Sequence, residues 1–301
     1  MQRGVDFRCA TASEQRLDEL AGTATHLNAF VLVEHDGPWG AAALRDSRLP
    51  DEVKAHLSQT RGVKVLLARR HLRAHREPGF EVFACFPARR LLLTRTIVDH
   101  SELTSLDLAA IGRGEVPGQD AGWSVVEGPL FGVCTHGRHD ACCAERGRPV
   151  AAALTASHPD TTWEVSHVGG DRFAANVLAL PHGLYYGRME PGWASEVAEL
   201  YEAGRVDIER LRGRASYPMQ VQFAEIALRR HLEEDGVDAL RLVRRQGLAC
   251  TFRRGDTEWI VTVRRDTRGE ARLTCGLERL NPLPVHEVVS IRRSPVRTDL
   301  R

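Results

Sequence analysis

The chain has 301 residues, 43% hydrophobic and 27% charged, the ordinary mix of a globular protein long enough for two or three domains. Its 41 basic and 40 acidic residues leave a formal charge of +1, which excludes a polybasic nucleic-acid binder and an acidic tail protein. Seven cysteines, odd in number and unevenly spread, exclude a small secreted disulfide scaffold. No apolar run reaches a membrane span and the first residues hold no apolar signal core. A cytoplasmic protein with reduced thiols and no nucleic-acid or membrane partner is therefore expected.

Taken in chain order, Phe30–Glu34 is predicted as a strand, followed by helical stretches at 40–47 and 50–59. Strands are predicted at Val63–Ala68, Phe80–Phe86 and Leu91–Val98, and a polar-capped helix from Ser101 to Ile111. The pattern then recurs. A strand at Phe131–Cys134 leads into a helix from Cys142 to Ala156. Strands follow at Thr162–Ser166, Asn176–Leu180 and Leu184–Arg188, with a turn at Pro181-His182-Gly183 and a helix from Trp193 to Ala203. Both passes read β-α-β-β-β-α, the thioredoxin-like order, with a βα crossover and then an antiparallel pair closed by a helix. Beyond Arg214 the texture changes to a helix at Met219–Glu234 and strands near 239–245, 248–254, 257–264, 270–275 and 284–291. The expected fold is thus α/β (α+β): tandem thioredoxin-like domains at 1–118 and 119–213, then a small α+β domain at 214–301. The first copy lacks a cysteine cluster.

The chemistry concentrates between residues 131 and 188. Cys134 leaves the end of a buried strand, a polar loop follows, and Cys142 and Cys143 stand where the next helix begins. Unpaired backbone N–H groups and the helix dipole at such a start favour thiolates, so the place suits a metal centre or a reactive cysteine. Adjacent cysteines across a trans peptide have Cα atoms about 3.8 Å apart, short of the roughly 4.4–6.8 Å of a relaxed disulfide. On a helix they also point about 100° apart, so one faces the site and the other packs. In the second half a strand ends in His167, Gly169 and Gly170 allow a tight backbone turn, and Asp171 follows. In the expected fold both motifs end at one edge of the sheet, where ligands of open α/β sheets bind. Cys9, Cys85, Cys250 and Cys275, far apart in sequence, are read as small core side chains.

Cys-x-His-x-x-x-Asp-x-x-Cys from Cys134, Ser-His-x-Gly-Gly-Asp-Arg-Phe-Ala-x-Asn from Ser166 and Leu-x-Leu-Pro-x-Gly-x-x-Tyr-Gly-Arg from Leu178 together resemble the sucrase/ferredoxin-like family. The resemblance implies a thioredoxin-like ferredoxin domain with a [2Fe-2S] cluster. In the family's eukaryotic members two cysteines nine residues apart and a His-x-x-x-His pair are the ligands. Carried over, these become Cys134, Cys143, His167 and Asp171, with Asp171 departing from the family's histidine. A carboxylate is a harder, anionic donor that makes the assembly negative, which Arg138, Arg146 and Arg172 would partly offset. Three arrangements stay open: Asp171 ligates, Cys142 takes its place, or the cluster is held loosely or not at all. His136 and His139 lack the spacing of a zinc finger or knuckle and are read as loop residues around the site.

The function so implied is a one-electron carrier or redox sensor working with a redox partner protein or a small-molecule reductant. The alternatives at the same Cys/His site are a thiol redox protein, which lacks the usual Cys-x-x-Cys, and a structural zinc protein. Sucrose hydrolysis would need paired carboxylates across a sugar cleft, and nothing in the sequence marks such a pair. No residue is therefore assigned a catalytic role.

Overall fold

A computed structural model describes residues 7–59, 61–71, 78–118 and 121–295. Helix α1 (Cys9–Gln15) precedes strand β1 (Ala29–Glu34), buried along its whole length, as expected of an apolar run covered on both faces. Helix α2 (Asp51–Leu57) begins with Asp51 and Glu52, which complement its dipole, and buries Val53 and Leu57. Strand β2 (Val63–Arg69) lies parallel to β1. Strand β3 (Phe80–Phe86) pairs antiparallel on the other side of β1, and β4 (Leu91–Ile97) antiparallel to β3. Helix α3 (Leu108–Gly112) ends this unit and the two-residue β5 (Ser124–Val125) extends its edge.

The second unit repeats the arrangement with β6 (Leu130–Cys134), α4 (Ala141–Ser157), β7 (Thr162–Val165), β8 (Val177–Leu180), β9 (Leu184–Tyr186) and α5 (Pro191–Glu202). Strand β6 runs parallel to β7 and antiparallel to β8, which pairs with β9. In each unit the spatial order is second, first, third, fourth strand, the tandem thioredoxin-like topology expected from the element order. With β10 (Leu211–Arg214) on β9, the units form one ten-stranded sheet in the order β10-β9-β8-β6-β7-β2-β1-β3-β4-β5.

The units join through their equivalent second strands, β2 and β7, which overlap antiparallel only at their C-terminal ends, Ala68 opposite Val165 and Arg69 opposite Glu164. The C-terminal edges of both units therefore converge at the seam. One buried cluster draws on both, with Phe30, Leu32 and Phe83 from the first packing among Leu130, Trp163 and Tyr185 from the second.

The remaining chain is the expected α+β unit. Helix α6 (Met219–Leu232) packs on β10 and on a separate antiparallel sheet of β11 (Arg241–Gln246), β12 (Ala249–Arg254), β13 (Thr257–Arg272) and β14 (Leu280–Pro295). The strands predicted at 257–264 and 270–275 are one element, β13. Register shifts at Thr262/Val263 and Thr267/Glu270, with Gly269 at φ 66°, absorb the polar stretch without ending the pairing. The helix expected at 40–47 is a set of turns. Its Asp46 carboxylate accepts the Ala42 amide and offers the backbone a local alternative to a helix. The helix expected from Ser101 to Ile111 is two pieces, a 3-10 turn capped by Asp99 with Glu102 and then α3 capped by Asp107, separated at Leu106 in extended backbone. Among the described residues no helix is long and apolar enough to cross a membrane.

Candidate metal centre

Cys134 ends β6 and Cys143 lies in the first turn of α4, both fully buried. Asp140 sets the start of that helix, its carboxylate accepting the Cys142 amide at 2.9 Å. One turn beyond Cys143, Gly147 rests on the strand end, where a Cβ would stand 2.1 Å from the Cys134 carbonyl oxygen. The missing side chain lets α4 seat on the end of β6 and brings the two thiols side by side.

The second half of the site leaves β7 through Ser166, which exchanges hydrogen bonds with Leu67 of β2 across the seam: its amide donates to the Leu67 carbonyl at 2.8 Å and its hydroxyl accepts the Leu67 amide at 3.0 Å. Gly169 and Gly170 take φ values of +106° and +80°, and a Cβ on Gly170 would stand 2.2 Å from an Arg212 nitrogen. Arg212 on β10 is fully buried and, among the described residues, hydrogen-bonds to no carboxylate. It donates instead to the Gly169 carbonyl at 2.9 Å, to Asn176 Oδ1 at 2.7 Å and to both oxygens of Thr23. Asn176 in turn donates to the Gly170 carbonyl at 3.0 Å. The turn carrying His167 and Asp171 is thus held from below by a guanidinium pressed against two glycines.

These elements bring Cys134, Cys143 and His167 together, their ligand atoms within 4.8 Å of one another, and likewise His139, His167 and Asp171. The Cys143 thiol donates to Asp171 Oδ1 at 3.3 Å. His167 Nδ1 lies 2.9 Å from the same oxygen, so the imidazole and the carboxylate form a pair. Asp171 is buried while the His167 side chain is 24% exposed. The neighbouring Cys143 thiol holds Cys134 well below its usual range against the opposing effect of burial. The neighbouring Cys134, with burial, pushes Cys143 up. Burial disfavours the His167 cation, but Asp171 and Cys134 outweigh it and raise the imidazole to about 9. Burial likewise opposes the Asp171 carboxylate, and His167 outweighs it, lowering its pKa. Burial lowers Lys64 on β2, and the charges of Cys134 and Asp171 oppose that shift.

The other expected residues fall around this group. His136 is buried, its Nδ1 accepting the His167 amide at 3.3 Å and its Nε2 donating to the Gly40 carbonyl at 2.7 Å, with Trp39 edge-on to the ring. His139 stacks on His167 with ring centroids 3.8 Å apart. Arg138 is exposed. Arg172 lies over the Phe173 ring and 3.4 Å from Asp18, and Arg146 pairs with Glu14. Cys142 turns away from Cys143 into another group, its sulfur 3.4 Å from that of Cys275. Cys85 and Cys250 are buried, as expected of core side chains. Cys9 is likewise buried in a small core cluster with Ala10, Cys142 and Ala174, and Cys275 packs against it; their sulfurs also face one another and polar partners.

Three supporting residues escaped the sequence reading. Gly147, four positions after Cys143 on one helix face, and Lys64, a cation inside an apolar strand, carried local signals. Arg212 carried none, because its partners lie far away along the chain.

A family model described as Sucrase/ferredoxin-like matches residues 20–213. No curated protein matches the chain. Among solved structures, a thioredoxin-like [2Fe-2S] ferredoxin from Aquifex aeolicus is similar at 22% identity, over 29% of this chain and 90% of its own, with a TM-score of 0.26. The wild type of that ferredoxin is similar at 24% identity, over 29% of this chain and 96% of its own, with a TM-score of 0.25. The two motifs that end at the seam lie within the matched segment, which is more than half of the 301 residues, and the chain belongs to the Sucrase/ferredoxin-like family.

Proposed function

We propose that the chain is a one-electron carrier or redox sensor whose [2Fe-2S] cluster is held by Cys134, Cys143, His167 and Asp171. The observation that carries this reading is the convergence of two buried sulfurs, an imidazole and a buried carboxylate from three separate chain segments. Soft thiolates and an imidazole suit iron–sulfur iron, and a neighbouring carboxylate is a workable fourth donor. When bound, the cluster supplies reversible one-electron chemistry.

The chain's own residues do the rest. Gly147 and the Arg212 clamp fix the donors in place, so little rearrangement accompanies a change of charge. The backbone of the loop after β1, held through Gly40 by His136, covers the site from the first unit. His167 and the His139 ring stacked on it are its partly exposed members, and an electron partner would approach there. The divisions at 118/119 and 213/214 belong to the same proposal, with the first domain acting as a cover rather than a second redox centre.

The test is anaerobic purification of the full chain with iron, sulfide and zinc analysis and a visible spectrum. About two irons and two sulfides per chain with charge-transfer bands support the reading. A colourless protein holding zinc at Cys134 and Cys143 refutes it.

A further inference from the structure

Three of the five cysteines outside the first centre form a second group. Cys9 opens α1, Cys142 sits in the first turn of α4, and Cys275 lies between β13 and β14. Cys275 Sγ is 3.4 Å from Cys142 Sγ and 3.5 Å from Cys9 Sγ. The Asp140 carboxylate approaches Cys9 Sγ at 3.5 and 3.6 Å. One ligand atom from each of these four residues lies within 4.8 Å of every other. Cys9, Cys142 and Asp140 are fully buried, and Cys275 is partly exposed.

We propose that Cys9, Cys142, Cys275 and Asp140 bind a zinc ion in a closed tetrahedral structural site, separate from the iron centre. A tetrahedron with Zn–S bonds of about 2.3 Å has S···S edges of about 3.8 Å, and a Zn–O bond of about 2.0 Å gives S···O edges near 3.5 Å. The Cys142–Cys275, Cys9–Cys275 and Cys9–Asp140 separations are close to these edges, and every other pair lies within 4.8 Å. Three thiolates select a soft or borderline ion, and four protein donors leave no open position, as in structural zinc sites. The backbone is arranged for thiolates. The Cys9 amide donates to Cys275 Sγ at 3.3 Å. Asp140 is oriented by the Cys142 and Cys275 amides at 2.9 and 2.7 Å, and a carboxylate with about four lone-pair directions keeps room for a metal. Three thiolates and a carboxylate around Zn2+ leave two negative charges. Arg146 and Arg172 lie close enough for thiolate charge to be felt there.

Binding displaces the thiol protons and needs no oxidant. It ties together segments 133 and 266 residues apart, so an early helix, the α4 start and the β13–β14 connection become one staple beside the iron centre. Because α4 carries Cys142 toward the zinc and Cys143 toward the iron, the adjacent cysteines have different tasks.

The experiment is elemental analysis of the reduced full-length holoprotein, with a parallel Co2+ titration after chelation. About one zinc per chain is expected in addition to iron, with intense thiolate-to-cobalt bands on titration. Cys275→Ser, the least buried position, should lose the zinc and keep the iron and its colour. Cys134→Ser should do the opposite. No zinc and no cobalt bands in the wild type, a Cys142–Cys275 disulfide, or zinc lost in Cys134→Ser but kept in Cys275→Ser would each overturn the site. A protein without iron in which zinc survives Cys134→Ser would instead remove the electron-carrier reading and leave this one standing.

Discussion

At the residue scale Cys142 and Cys143 point opposite ways from one helix start, toward Cys275 and Asp171 respectively. Cys134→Ser should abolish bound iron and the visible spectrum, whereas Cys142→Ser should keep both, as iron analysis and absorbance will show. Gly147→Ala is the sharpest packing test. Its new methyl would stand 2.1 Å from the Cys134 carbonyl, so α4 must move off β6. Overpacking of this kind costs about 1–3 kcal/mol, measurable by urea unfolding, and iron occupancy should fall with it. That one of Cys142 and Cys143 faces the site while the other turns away was legible from helix geometry, and the family resemblance is what pointed to Cys143. The contact between Cys9 and Cys275 was not legible, for the opposite reason. Nothing in their sequence surroundings records a contact made 266 residues away.

Among elements, the join between β10 and α6 depends on Glu225, buried between Arg214 and Arg229 at 2.9 Å from each. Burial opposes its charge, but the two guanidiniums outweigh it and hold its pKa below the ordinary value. A lowered folded-state pKa means that the stabilisation is complete above the unfolded value, about 4.3, and is lost as pH falls toward the folded one. Glu225→Gln leaves two buried cations uncompensated and should cost about 3–5 kcal/mol near neutral pH. The gap in unfolding free energy between variant and wild type should narrow on acidification below that value, and a gap independent of pH would contradict the assignment. Element identity was legible wherever an apolar period persisted, as in β3 and α4. It failed where polar side chains competed for the backbone, at Asp46, at Asp107 and along the bulged part of β13.

On the scale of the whole molecule, two thioredoxin-like units share one sheet, and their strand ends meet where the site lies. The seam has two register pairs, reinforced by Glu164, which bonds Arg69 from the first unit and the Thr135 hydroxyl from the second. Hydrogen exchange should be slowest in β1, β6 and β8, buried throughout, and faster in the outer part of the β13–β14 hairpin, which is largely exposed. Equal protection across both sheets would contradict this. The duplication was legible from element order, because each copy must bury its crossover in the same way. The seam was not, since antiparallel pairing of two second strands leaves no mark in either one.

The most direct measurement of the central claim is iron and sulfide content with the visible spectrum, on anaerobically purified wild type and on Cys134→Ser and Cys143→Ser. About two irons and two sulfides per wild-type chain, lost with the colour in both variants, is the predicted result. A wild type without iron, or iron and colour unchanged when either cysteine is replaced, would contradict it.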